Sequence, residues 1–425
     1  MRPDTVRRLD RHLGVPLCWL LTRLREVGRL VQRFRRRRPA GSIRNVLFVK
    51  LVEQGSTVLA ARAFDLAARL VGRENLYFLV FEHNRPVVDL MGYFPPQNIL
   101  TVRDDRLRHF ITDTVRVLYR LRGLKIDAAI DMEGFARASV ILATLSGARY
   151  RVGFHRFRCE APYRGKLLTH ALNYNFYAHQ SLAFLSLVKA LEADPDEKPM
   201  LKEPLPDDGY RPRPFVPTPD EEVEMRQLLR HLAGREVDGP IVLLNPNASD
   251  LMPLRRWPTN RFVALGRRLL ADHPEVTVAI TGAPDEREKA RALAEAIDPR
   301  RVLCLAGETT LRSLLVLYGL ADVLVTNDSG PAHFAALTDI DVVALFGPET
   351  PVLYRPLSPR VRCLFAGLAC SPCVNVLNHR ASPCRDNRCM RAIAVSQVYE
   401  AVCEALAARG TRRRAPAPVV SGVLP

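Results

Sequence analysis

The stretch from Asp322 to Pro348 constrains the fold of this chain more than any other. It reads Asp322-Val-Leu-Val-Thr-Asn-Asp328-Ser329-Gly330-Pro331-Ala-His333-Phe-Ala-Ala-Leu and closes on Ala344-Leu345-Phe346-Gly347-Pro348. Each end carries a short aliphatic run that predicts a buried strand. Between them a polar turn leads into a helix opening at Gly330-Pro331. Asp328 and Ser329 suit helix caps, and Pro331 stands where a first turn tolerates a missing N–H. Strand, helix and strand at this spacing form a βαβ unit, which builds a parallel sheet. The first-turn N–H groups then face the space beyond the strand and suit a phosphate, and His333 adds a donor on the same turn. An ordinary capped βαβ corner is the plainer reading. Three polar groups converging where α/β sheets bind ligands favour the anion site.

The alternation extends along the chain. The near-continuous apolar run Ile43–Leu51 reads as a central parallel strand, followed by a turn at Glu53-Gln54-Gly55-Ser56 and a helix over Val58–Val71. Strands are expected at Leu76–Phe81 and Ala128–Asp131, with helices over Arg106–Leu121 and Gly134–Leu145. Residues 194–220 then carry eight prolines and read as a linker that is neither helix nor central strand. Beyond it, strands at Ile241–Leu244, Val276–Thr281, Val302–Leu305 and Val323–Thr326 alternate with helices over Arg261–Ala271, Asp285–Ile297 and Leu311–Leu320. The expectation is an α/β chain of two Rossmann-like, doubly wound domains facing across a cleft. Its parts are a basic arm (1–40), a first domain (41–195), a linker (196–238), a second domain (239–409) with a Cys-rich segment (363–389), and a disordered tail (410–425).

Charge adds a second constraint. The net charge is +17, and residues 1–38 hold twelve Arg against Asp4, Asp10 and Glu26, so 12 − 3 leaves +9 on the arm. Leu13, Val15, Leu17, Trp19, Leu20, Leu21, Leu24, Val27, Leu30, Val31 and Phe34 recur there at roughly helical spacing between arginines, the pattern of a helix lying on an anionic membrane surface. The same pattern serves a helix packed on its own protein. No aromatic platform or helix-turn-helix accompanies it, which excludes nucleic acid as the partner. The apolar run Val15–Leu21 is too short to span a bilayer, and no cleavage site follows it. Nine cysteines without a secretion signal point to a reducing, cytoplasmic setting, with peripheral attachment to the inner membrane face.

The motif Asp328-Ser329-Gly330-x-x-His333, followed by a strand ending Leu345-Phe346-Gly347, resembles glycosyltransferase family 9, the bacterial heptosyltransferases of the lipopolysaccharide core. The resemblance covers most of residues 43–403 and is strongest in the C-terminal half. It implies the GT-B architecture, a lipid-linked glycan acceptor on the first domain and a nucleotide-sugar, with ADP-heptose foremost, on the second. It also implies a last helix, here Val395–Ala408, crossing back to the first domain. Donor contacts are expected from Asn247, Asp328, Ser329, Gly330 and His333. Arg255 and Arg256 stand where the family usually has a Lys contacting phosphate before Trp-Pro. Arg keeps the charge and adds a bidentate fork. Asp285 or Glu286, after Thr281-Gly282, could accept from ribose hydroxyls or could serve a helix N-terminus alone. No cofactor is required for such catalysis.

The first turn departs from the family pattern. There the family usually has Gly-Asp, and the Asp is taken as the base; here Gly55 is followed by Ser56. A serine hydroxyl needs its own base to take a proton at neutral pH. Glu53 is the nearest carboxylate and the first choice, with Asp131 and Glu133 as alternatives. An inactive nucleotide-sugar-binding relative is the competing function, and a sugar-nucleotide epimerase ranks below it. Arg151, His155, Arg156, Arg158 and Arg164 would suit an anionic acceptor if they faced the cleft. Finally, Cys370, Cys373, Cys384 and Cys389 form Cys-x2-Cys-x10-Cys-x4-Cys, whose spacing allows a structural zinc site.

Overall fold

The computed structural model describes residues 10–33, 42–158, 160–249, 252–378 and 380–414. The chain divides into two compact units. Unit 1 comprises residues 1–215, 352–357 and 373–383, and unit 2 the remainder. The expected arm extends beyond the described residues at 1–9 and 34–41, and so does the tail from 415 onward. Residues 410–414 of that tail continue the last helix instead of being irregular.

Unit 1 holds six parallel strands in the order β3-β2-β1-β4-β5-β6. They are β1 (Val46–Val49), β2 (Leu76–Phe81), β3 (Ile99–Val102), β4 (Ala128–Asp131), β5 (Tyr150–Phe154) and β6 (His170–Leu172). Every residue of β1 is buried, as helices on both faces of a parallel sheet require. Val46 lies between Leu76 of β2 and Ala128 of β4. The chain builds outward from β1 to β3, then returns to β4 on the other side, so a topological switch point lies between β1 and β4. Helices α1 (Gly14–Arg33), α2 (Gln54–Val58), α3 (Ala61–Val71), α4 (Leu107–Gly123), α5 (Arg137–Leu145) and α6 (Gln180–Lys189) surround the sheet. Phe48, Phe64, Phe78 and Phe94 interlock edge-to-face, with Phe64 and Phe94 centroids 5.0 Å apart.

Helix α1 packs on its own protein along one face. Cys18 and Thr22 are buried, and Gly14 sits so close to Arg137 that a Cβ would lie 2.8 Å from its side chain. Thr22 Oγ1 accepts from the Lys166 N–H at 3.0 Å. Gly165 has φ +65°, and a Cβ there would meet the Cys18 carbonyl at 2.7 Å, so only glycine admits the helix so closely. The other face leaves Leu13, Leu17, Trp19, Leu20, Leu24 and Val27 exposed.

The linker expectation needs correcting at both ends. Its first part, to Phe215, belongs to unit 1: Arg62 bonds to Asp208 at 2.7 Å, and Arg213 to Asp65 at 2.6 Å. Its second part is helix α7 (Pro219–Ala233) of unit 2. Pro219 starts that helix because the first turn needs no N–H from it, and Thr218 with Glu221 completes a capping box.

Unit 2 repeats the architecture with β7 (Ile241–Asn245), β8 (Thr277–Ile280), β9 (Val302–Cys304), β10 (Val323–Asn327), β11 (Asp341–Phe346) and β12 (Val361–Phe365). The order β12-β11-β10-β7-β8-β9 puts the switch point between β7 and β10. Its longer helices include α8 (Thr259–Asp272), α9 (Arg287–Ile297), α10 (Leu311–Leu320), α11 (Gly330–Ala335) and α12 (Val395–Arg414). Helix α12 does not leave unit 2. Val398, Ala401 and Val402 are buried in its core, in the same cluster as Phe262 and Leu269 of α8. The Cys-rich segment is split as well, because residues 373–383 belong to unit 1.

Candidate functional site

Unit 1 has a cavity of about 180 Å³ lined by Lys50, Glu53, Ser56, Glu133, Gln180 and Arg380, with Phe154, Tyr174, Phe184 and Tyr354 among its aromatic walls. It lies where β1 and β4 end, the position at which open α/β sheets receive ligands. Lys50, directly after β1, is 2% exposed and lies over the Phe184 ring at 5.8 Å. Burial pushes its pKa down; Glu133 opposes that shift and Arg380 adds to it.

Glu53 caps α2 in the left-handed region, at φ 69° and ψ 77°. Holding a non-glycine residue there costs roughly 1–3 kcal/mol, which the surroundings must offset. One carboxylate oxygen accepts from the Arg380 guanidinium. The other accepts from Ser56 Oγ at 3.2 Å and lies 3.9 Å from Lys50 Nζ. Ser56, at the position of the family Asp, thus donates to a carboxylate one helical turn earlier.

The alternative carboxylates hold this loop in place. Glu133 Oε1 accepts from the N–H groups of Leu51 at 2.6 Å and Val52 at 2.9 Å. Asp131 accepts from the Glu133 N–H at 3.1 Å and pairs with Arg164, both almost fully buried. Burial lowers the Arg164 pKa to about 10. Arg164 also donates to the Phe154 carbonyl, Arg151 to the Leu167 carbonyl and Arg156 to the Ala161 carbonyl. Arg151, Arg156 and Arg164 of the basic cluster thus brace the backbone of unit 1, while Arg158 is exposed.

Unit 2 has a pocket of about 330 Å³ at the ends of β7, β8 and β10. Its polar lining includes Asn245, Asn247, Thr281, Glu286 and Ser329, and its apolar lining Leu311, Leu314, Pro331 and Phe334. That mixture suits a ring system joined to a polyhydroxylated, charged group. Asn245 Nδ2 donates to Thr281 Oγ1 at 3.1 Å, and Asn247 Nδ2 to the Thr281 carbonyl at 3.3 Å. Glu286 accepts from the Ala283 N–H at 2.8 Å, and its pKa is raised by burial with Asp285 adding to the shift.

Of the expected donor residues, Asn247, Ser329, Gly330 and Glu286 line the pocket, whereas Arg255, Arg256, Asp328, His333 and Asp285 do not. Asp285 is exposed. Arg255 lies 3.5 Å from Asp328 and also pairs with Glu349, and both carboxylates are buried. Burial raises both acids against the pull of Arg255, Glu349 to about 7. The basic run therefore braces acids inside the unit; Arg256 donates to the Ala248 carbonyl at 2.6 Å. His333 is 6% exposed on the inner side of α11. Ser329 does not cap that six-residue helix, since its hydroxyl donates back to the Asn327 carbonyl at 3.2 Å. From this turn Ser329, Gly330 and Pro331 line the pocket, with Asn247 reaching it from the end of β7.

Sequence reasoning missed Leu311 and Phe334 in one pocket and Lys50 and Arg380 in the other. Lys50 carried a signal, a lone charge ending an apolar strand. Arg380 carried none, because its partner lies 327 residues away. The four cysteines of the zinc expectation have separate surroundings. Cys373 accepts from Ser382 at 3.3 Å, Cys389 is buried beside Gly347, and Cys370 and Cys384 are exposed. Among the described residues no three His, Cys, Asp or Glu side chains are grouped to hold a metal ion.

Comparison with known proteins agrees with the two-sheet architecture. Lipopolysaccharide heptosyltransferase 2 of Salmonella typhimurium is 34% identical over 127 residues, 29% of this chain and 36% of the relative. Its Escherichia coli counterpart is 33% identical over the same length, so the match spans about a third of these relatives. The structure of E. coli ADP-heptose LPS heptosyltransferase II superposes with a TM-score of 0.64 at 18% identity, covering 86% of this chain and 99% of that one. The E. coli heptosyltransferase WaaC solved with ADP gives 0.60 at 18% identity, covering 85% and 99%. The model for glycosyltransferase family 9 (heptosyltransferase) matches residues 114–381, well over half of the chain, and the chain belongs to that family.

Proposed function

We propose that this protein transfers heptose from ADP-heptose to a hydroxyl of a lipopolysaccharide core acceptor. The observation that carries the reading is the Ser56–Glu53 hydrogen bond at the switch point of the first sheet. The carboxylate lies 3.2 Å from the hydroxyl of Ser56, which stands at the position where the resemblance implies an Asp, and this supports Glu53 as the base. Unit 2 holds the nucleotide, with Asn247, Ser329 and Gly330 at the diphosphate, Glu286 at the ribose, and Phe334 and Leu311 against the base. Glu53 takes the proton from the acceptor hydroxyl as its oxygen bonds to the anomeric carbon. The bond from that carbon to the diphosphate breaks, and ADP leaves. Tyr174 and Phe154 offer ring faces to a sugar.

The reading extends to the membrane that carries such an acceptor. No helix among the described residues is long and apolar enough to cross a bilayer. The exposed apolar face of α1, within an arm of net charge +9, suits the surface of an anionic bilayer, the inner leaflet of the cytoplasmic membrane in this reading. The test is ADP release from ADP-heptose with deacylated core oligosaccharide, with mass spectrometry of the product. A gain of one heptose supports the proposal; no ADP release with any core acceptor rejects it.

A further inference from the structure

We infer that Arg380 masks Glu53 until an anionic group of the acceptor draws it away, so that acceptor recognition switches on the base. The inference rests on the transferase reading above and concerns a residue outside the family motif.

Three observations meet at this point. First, the guanidinium occupies one oxygen of Glu53, while Ser56 and Lys50 attend the other. The carboxylate keeps further lone pairs, and on the oxygen that Arg380 holds the guanidinium competes with a substrate hydroxyl for the site. Second, the cavity contains two cations. Lys50 is 2% exposed and the Arg380 side chain 25%, so neither charge is strongly screened by water. Glu133, the other acid in the wall, already accepts two backbone N–H groups. Third, the backbone on both sides of the ion pair is left-handed, with Glu53 at φ 69° and Arg380 at φ 56°. Strained residues facing each other across a cavity mark a functional constraint, since nothing in the local sequence favours them.

The chain's organisation singles out Arg380 further. Residues 373–383 belong to unit 1, although the segments on either side, 358–372 and 384–425, belong to unit 2. The excursion lines the cavity with Val376 and Arg380 and sets Arg380 over the Tyr354 ring at 5.8 Å. A guanidinium presents a planar fork that binds phosphate or carboxylate bidentately. When the acceptor's anion takes that fork, with Lys50 as a second charge, Glu53 Oε1 is exposed. The acceptor hydroxyl proton then moves to that oxygen, while Arg380 exchanges one anion for another and keeps its own protons.

The test measures binding and turnover with deacylated core oligosaccharide that is intact, phosphatase-treated or carboxyl-reduced. In calorimetry the wild-type protein loses at least about tenfold in affinity when the recognised anion is removed. The phosphatase and reduction arms show whether that anion is phosphate or carboxylate. Arg380→Gln binds all three alike at the weakened level, and Arg380→Lys restores part of the difference. In turnover, Arg380→Gln raises KM for the anionic acceptor, yet exceeds wild type in kcat on the neutralised one because the mask is gone. An unchanged ADP-induced thermal shift shows that the variant is folded. Full anion discrimination by Arg380→Gln, or a lower kcat on the neutralised acceptor, overturns the inference. Failure of the wild type to bind any of the three also overturns it, and ADP-heptose turnover then decides separately whether the transferase reading stands.

Discussion

Ser56 and Glu53 meet across 3.2 Å, hydroxyl to carboxylate, inside the first turn after β1. The bond ties the serine, which stands where the family pattern has an acid, to the carboxylate proposed as the base. Glu53→Gln should lower kcat by about 10²–10⁴, the range for loss of a general base, and leave ADP affinity unchanged. Ser56→Ala should cost less, since the carboxylate remains. Steady-state ADP release measures both, and near-wild-type turnover by Glu53→Gln would remove Glu53 from the mechanism.

Asp131 and Arg164 form a buried ion pair beneath the same loop. Asp131→Asn leaves a buried guanidinium without its counter-charge, which costs on the order of 3–5 kcal/mol. Urea unfolding should show this as a lower midpoint at unchanged slope. Replacing Arg164 with Met in the same chain should recover most of the loss.

Glu349, pushed up to about 7 by burial, makes stability depend on pH. The folded protein keeps this proton between the ordinary carboxylate pKa and about 7, while the unfolded chain has released it. The folded state therefore binds more protons in that window, and stability falls as pH rises through it. In Glu349→Gln this component is absent, so its melting temperature relative to wild type should climb from pH 5 to pH 8. A constant difference across that range would disprove the assignment.

Arg255 separates the sequence reading from the structural one. A phosphate ligand would lose ADP affinity on replacement; a brace for Asp328 and Glu349 would lose stability instead. Arg255→Met should lower the melting temperature and keep ADP affinity within a few-fold. Gly282→Ala should do the reverse, because a Cβ there comes within 2.8 Å of Asn247 and 3.1 Å of Glu286 in the pocket. The wild-type protein, offered ADP, UDP, GDP and CMP, should be stabilised selectively by ADP. The gain is about 2.7 kcal/mol at a hundredfold excess over Kd.

The face of α1 should bind vesicles of anionic phospholipid and lose them as salt rises. Replacing both Trp19 and Leu24 with Glu removes two exposed apolar anchors, worth about 1.5–3 kcal/mol each when buried. Co-sedimentation should fall roughly a hundredfold or more in partition coefficient. Equal binding by the double variant would show that the arm's charge alone is responsible.

Much of the fold was legible in the chain because its signals are local. The runs at β1, β4, β7 and β10 are apolar because a doubly wound sheet buries both faces, and two such sets imply two sheets. The motif at Asp328–His333 pointed to the correct sheet edge, yet its ionisable side chains turn inward. Charge near a turn does not reveal whether it faces a ligand or another charge, and Glu349, the acid that claims Arg255, lies 94 residues further on. The prolines concealed α7 because one at a first helical turn looks like one in a linker.

The sequence by itself determined two Rossmann-like sheets through short-range periodicity and the family through its resemblance at Asp328–His333, and it offered Glu53 as a candidate base. Only the tertiary structure decided what surrounds that base. It brought Arg380 to Glu53 from 327 residues away, gave Asp131 to Arg164, and drew residues 373–383 into the first unit. The physical reason is that burial, not proximity in sequence, makes an ionisable group find its counter-charge, and burial is a property of the folded chain.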